Sequence, residues 1–110
     1  GVMEAACRGA RAAGGHTIGI LPRERRGAAN DYVETVIVTG MGNARNVLVV
    51  MNGEGVVAID GGTGTLSELG HALDMARPVA GLGTHQIEGV DGIEHVAEAA
   101  AAVDYVEGAV

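Results

Sequence analysis

The sequence predicts an α/β fold: a Rossmann-like, three-layer arrangement with a mostly parallel sheet and helices on both faces. Three observations carry this. Short apolar runs of strand length recur at 16–21 (HTIGIL), 34–39 (ETVIVT), 56–59 (VVAI) and 78–82 (PVAGL). Segments of helical period fall between and beyond them. The run 56–70, VVAIDGGTGTLSELG, joins a buried strand to a helix through a Gly-rich turn.

The chain opens on a helix: Val2, Met3, Ala6, Ala10 and Ala13 recur at helical spacing, Glu4 sits in the first turn, and Gly14-Gly15 closes the end. The strand at 16–21 is stopped by Pro22, and 23–31 reads as a polar loop bearing Arg23, Arg25 and Arg26. A second strand at 34–39 ends at Gly40-Met41-Gly42. Segment 43–52 is ambiguous, because Val47 to Val50 have strand propensity. A buried helix is the better reading, since strand and helix then keep alternating. After the third strand, Asp60 and the glycine turn lead into a helix expected at about 66–76, which Arg77-Pro78 breaks. The fourth strand occupies 78–82, a loop with His85 follows, and 94–106 reads as an Ala-rich closing helix with Glu94, Glu98 and Asp104 facing water.

At 110 residues there is room for one domain with one modest core. A hydrophobic share of 47% is too high for a disordered chain, and no apolar run reaches the roughly 18 to 20 residues of a membrane span. A net charge of −7 with only Tyr32 and Tyr105 as aromatics argues against nucleic acid as a partner. The lone Cys7 has no internal disulfide partner, which fits a cytoplasmic location. All seven basic residues are Arg. Without Lys there is no Schiff base for pyridoxal phosphate and no Walker A loop.

The chemistry is concentrated in Gly61, Gly62, Thr63, Gly64 and Thr65. Glycines let a ligand approach the backbone, the first amides of a helix point outward unpaired, and the helix dipole favours an anion there. A structural reading stands beside this: Thr65-x-x-Glu68 is also a capping box, with Thr65 as N-cap. Both readings stay open on the residues alone. The spacing is neither GxGxxG nor Walker A.

The run Gly61-Gly62-Thr63-Gly64-Thr65-Leu66-Ser67-Glu68 resembles the PGGxGTxxE signature of the Lonely Guy (LOG) family, within the SLOG nucleotide-binding superfamily once labelled "possible lysine decarboxylase". Ala44-Arg45-Asn46 resembles the segment with the family's second signature Arg, and Gly1-Val2-Met3-Glu4-Ala5 the end of its GGGxxGLMG loop. Two departures, Asp60 for Pro and Asn46 for Lys, resemble a largely uncharacterised bacterial and archaeal branch akin to molybdenum-cofactor carrier proteins.

The resemblance implies a nucleotide site and, in its active members, hydrolysis of the N-glycosidic bond of a nucleoside 5′-monophosphate to free base and ribose 5-phosphate. Glu68 would stabilise positive charge on the ribose or orient the water, and Arg45 would hold the substrate. The phosphate would rest on Gly61, Gly62, Thr63, Gly64 and Thr65 and on the helix start at Gly1 and Met3. The alternative is a binding module without catalysis, holding a nucleotide or a phosphate-bearing cofactor such as molybdopterin. No resident cofactor or metal is expected, and a homodimer is the default the family implies. The family also implies a preceding β-α-β unit that this stretch lacks.

Other residues have ordinary readings. Glu68-x-x-His71 is a single carboxylate–His pair, short of a di-metal site. His16, His85 and His95 lack ligand spacing and are expected at the surface or at strand ends. Cys7 reads as a small core residue, and Arg23, Arg25 and Arg26 as a solvated loop, with a lid or phosphate contact as the lesser reading.

Overall fold

The computed structural model describes residues 1–110 as two compact units, 1–45 and 46–110. In the first, helix α1 (Val2–Ala12) precedes strands β1 (Ile18–Leu21) and β2 (Thr35–Val38), which pair in parallel with Ile18 opposite Thr35 and Leu21 opposite Val38. Pro22 ends β1 as expected, since it offers no amide to a ladder. The link between the strands holds only a 3-10 turn at Arg26–Ala28, so side chains secure the pair. Buried Thr17 donates its hydroxyl to the Tyr32 carbonyl at 2.6 Å and accepts the Glu34 amide at 2.9 Å. His16 meets Thr35 Oγ1 at 2.7 Å, and Glu34 lies within ion-pair distance of both His16 and Arg11.

The second unit contains α2 (Asn46–Met51), β3 (Val56–Ile59), α3 (Thr63–Asp74), β4 (Val79–Leu82), β5 (Ile93–Val96) and α4 (Ala99–Ala109). Its sheet runs β3-β4-β5, parallel throughout. The central strand is covered on both faces. Val79 joins Val50, Ala58, Leu69 and Ala72 in one core cluster, which α2 and α3 supply together with β3. Ala80 points the other way by strand alternation and is also buried, and α4 packs against β4 and β5. This is the helix–sheet–helix layering that the alternating pattern predicts, and the mixed α/β fold with parallel sheets is Rossmann-like.

Three expectations need correction in detail. Residues 93–96 are not part of the closing helix but a fifth strand paired with β4, and α4 begins only after Glu98, its N-cap. The Ala-rich stretch made the helix look longer, while the apolar ends of Ile93-Glu94-His95-Val96 serve the sheet. Segment 43–52 is helical, but as a 3-10 turn at Gly42–Arg45 followed by α2. Helix α3 starts at Thr63 instead of about 66 and stops at Asp74.

Helices α1 and α3 end in the same way. At α1, the Gly14 amide bonds the Arg11 carbonyl and the Gly15 amide the Ala10 carbonyl, with Gly14 at φ +84. At α3, the Ala76 and Arg77 amides bond the Leu73 and Ala72 carbonyls in the same pattern, with Ala76 at φ +55. This is the Schellman arrangement, whose left-handed residue is normally Gly. Ala76 is exposed and carries a Cβ in a conformation that disfavours one. Ala76→Gly should therefore raise folding stability by about 0.5–1 kcal/mol, seen as a higher denaturant midpoint at unchanged slope. Leu69→Ala, at a fully buried position, should lower it by about 2–5 kcal/mol by the same measurement.

Candidate functional site

The glycine turn lies where β3 ends, at the carboxyl edge of the sheet. Asp60 follows the strand with φ +65 and folds its own carboxylate back, Oδ1 accepting the Gly61 amide at 2.9 Å. Asp is among the few non-glycine residues that adopt this conformation with any frequency. Proline, the signature residue at this place, has φ fixed near −65°. The departure at Asp60 is thus one of backbone as well as side chain.

Gly62 caps α3 with an extended backbone and no side-chain cap bond. Its carbonyl accepts the Leu66 amide at 3.1 Å, so the amides of Thr63, Gly64 and Thr65 precede the first bonded donor of the helix. Thr65 is therefore the third residue of α3 and not its N-cap, which removes the capping box of Thr65 and Glu68. Gly61, Gly62 and Thr63 are exposed, while Gly64 and Thr65 are half-buried.

Two further residues stand at this turn. His85, in the loop after β4, places Nε2 3.0 Å from the Gly62 carbonyl, and its ring lies beside Gly61. Asn46, the first residue of α2, is buried beside Gly64: a Cβ there would stand 3.6 Å from Asn46 Nδ2. Sequence spacing gave no sign of His85. Its position follows from β3 and β4 being parallel neighbours whose following loops emerge at one edge.

The second unit thus gathers Gly61, Gly62, Thr63, Gly64, Thr65 and Glu68, the last half-buried on the second turn of α3. Gly1, Met3 and Arg45 belong to the first unit. Gly1 is the N-cap of α1 with its amino group 4.0 Å from Glu4, Met3 is exposed, and Arg45 ends the 3-10 turn half-buried with an unpartnered Nε. Arg23 and Arg25 line an open cleft of about 490 Å³ with Glu24, Gly40 and Gly42. No group of three or more His, Cys, Asp or Glu side chains is arranged to hold a metal ion. No helix is long and apolar enough to cross a membrane.

A parallel sheet whose strand passes through a glycine turn into an open helix start defines the class: a Rossmann-like α/β protein. The model of the SLOG cluster4 family matches residues 1–109, and the chain belongs to that family. An uncharacterised protein of Archaeoglobus fulgidus is 43% identical over 82 residues, covering 74% of this chain and 54% of its own length. The chain thus spans about half of that relative. Among solved structures, the molybdenum cofactor binding protein of the phototrophic bacterium Rippkaea orientalis superposes with a TM-score of 0.85 at 33% identity, covering 99% of this chain and 71% of that one. The molybdenum cofactor carrier protein of Chlamydomonas reinhardtii gives 0.84 at 36% identity, covering 98% and 70%.

The geometry at Asp60 makes a direct prediction. Asp60→Gly keeps the turn, whereas Asp60→Pro is incompatible with φ +65. The Pro variant should be less stable than the Gly variant by more than about 1 kcal/mol. Equal denaturation midpoints would show that the turn is not held in this conformation.

Proposed function

We propose that this chain binds a phosphate-bearing small molecule and carries it intact, with the phosphate on the amides of Thr63, Gly64 and Thr65. The observation that carries the reading is the start of α3, where these amides precede the first bonded donor and the cap residue has no side chain to occupy them. Three convergent N–H groups at the positive end of a helix dipole match the oxygens of a phosphate. Gly62 and Gly64 keep side chains away from it. The proteins of Rippkaea orientalis and Chlamydomonas reinhardtii are named for binding or carrying the molybdenum cofactor, which favours a phosphorylated pterin as the molecule held.

Binding is preferred to hydrolysis for a reason in this chain as well as in those relatives. The turn that would present a nucleotide to Glu68 departs from the hydrolase signature at Asp60, in side chain and in backbone angle.

Incubating the protein with AMP and assaying for free adenine separates the two activities. The expected result is no adenine, with a rise in melting temperature on adding AMP or the phosphorylated pterin. A ligand at a hundred times its Kd adds about 2.7 kcal/mol to stability, so the rise is measurable. Release of adenine would instead assign an N-glycosidase, and Glu68→Gln should then abolish it while phosphate binding survives. A melting temperature that neither ligand moves would reject a phosphate site.

A further inference from the structure

We propose that Asn46 is a ligand-contacting residue of this chain, its side-chain amide donating to the phosphate that the amides of Thr63, Gly64 and Thr65 hold. The inference rests on the binding function proposed above and extends it to a residue outside the glycine turn. Asn46 is 2% exposed, and its Nδ2 is both buried and without a hydrogen-bond partner. Buried primary amides in folded proteins are nearly always bonded, so an unsatisfied donor marks a place where a partner belongs. The partner's direction is given by Gly64. Nδ2 lies next to that glycine's backbone, 3.6 Å from the point a Cβ would occupy, on the first turn of α3.

The surroundings make a purely structural role a poor account. The rest of α2 is Val47, Leu48, Val49, Val50 and Met51, and Val50 belongs to the core cluster. An apolar residue at 46 would continue that packing without stranding a donor. Asn46 also leads α2, a helix too short to offer an anion site of its own, so its contribution comes through its side chain.

The consequence is a donor set made of neutral N–H groups: three backbone amides and one carboxamide. Such a set selects an acceptor-rich, doubly ionised group, and a phosphate monoester on a small molecule is the class that fits. The sources of that monoester, a nucleotide or a phosphorylated pterin, share the chemistry, and the test separates them.

The test titrates the intact chain with inorganic phosphate, AMP and a phosphorylated pterin, by calorimetry and by following the Asn46 side-chain amide resonances. The unaltered chain should bind, with those resonances shifting on addition of phosphate. Asn46→Leu should weaken binding of every phosphate compound that binds by roughly tenfold or more, the value of one hydrogen bond to a charged group, while the denaturation midpoint stays level or rises. Asn46→Asp keeps the shape but sets a carboxylate against the anion, and should weaken binding further. Binding by either folded variant equal to that of the unaltered chain overturns the inference. So do Asn46 resonances that stay still while phosphate binds. Failure of the unaltered chain to bind any of the three compounds overturns the underlying function instead, which keeps the two failures distinct. AMP bound in preference to the pterin would identify a nucleotide as the source, and the reverse the pterin.

Discussion

A backbone amide at the start of a helix has no carbonyl above it, and in α3 the cap residue has no side chain to take that place. Gly62 caps the helix with an extended backbone and nothing else. Several elements of the second unit hold that opening in position. Strand β3 delivers the chain to the sheet edge, β4 is buried on both faces and anchors the sheet, and Leu69 and Ala72 fix α3 against it from within the core. Leu69 lies six residues beyond Thr63, so the same short helix is clamped in apolar surroundings at its middle and open to water at its start.

The fold class was legible because it depends on coarse patterning. Four of the five strands and helices α1 and α3 occur about where apolar period and turn residues place them, α4 begins later than its Ala-rich stretch suggests, and the parallel order follows from the alternation. The fifth strand was hidden. Ile93 and Val96 are half-buried while Glu94 and His95 are exposed, so the segment has neither clean alternation nor a continuous apolar run. A neighbour, β4, decides its conformation, and a neighbour is what local patterning lacks. The same limit explains Ala76. Sequence favours Gly at a left-handed helix end, and tertiary packing around Met75 and Leu73 enforces the turn with an alanine.

The site was legible in part, for a similar reason. The glycine turn announces itself, because few other uses require so many small residues between strand and helix. Its fine structure does not. Thr65-x-x-Glu68 satisfies the capping-box pattern, yet the helix begins three residues earlier, since Gly62 can take the cap position unaided. That shift moves Thr65 from the cap into the first turn and places its own amide ahead of the helix's first backbone-bonded donor. His85 and Asn46 come to the turn through sheet order and helix packing, which no spacing rule encodes.

Charge bears on the phosphate site proposed at the start of α3. With a net charge of −7, the protein repels anions at a distance, but that field fades within about 10 Å at 0.1 M salt. The helix start acts at contact, where its partial charge of about half an electron and its oriented N–H groups outweigh a screened background. A small phosphate ester brings about two negative charges and can reach such a point. A nucleic acid brings one charge for roughly every 1.7 Å of duplex, and would set many of them against an acidic surface to satisfy one. Under the proposed function, an acidic protein with a neutral donor site would therefore filter by size as well as by chemistry, admitting the monoester while turning away the polymer that carries the same group.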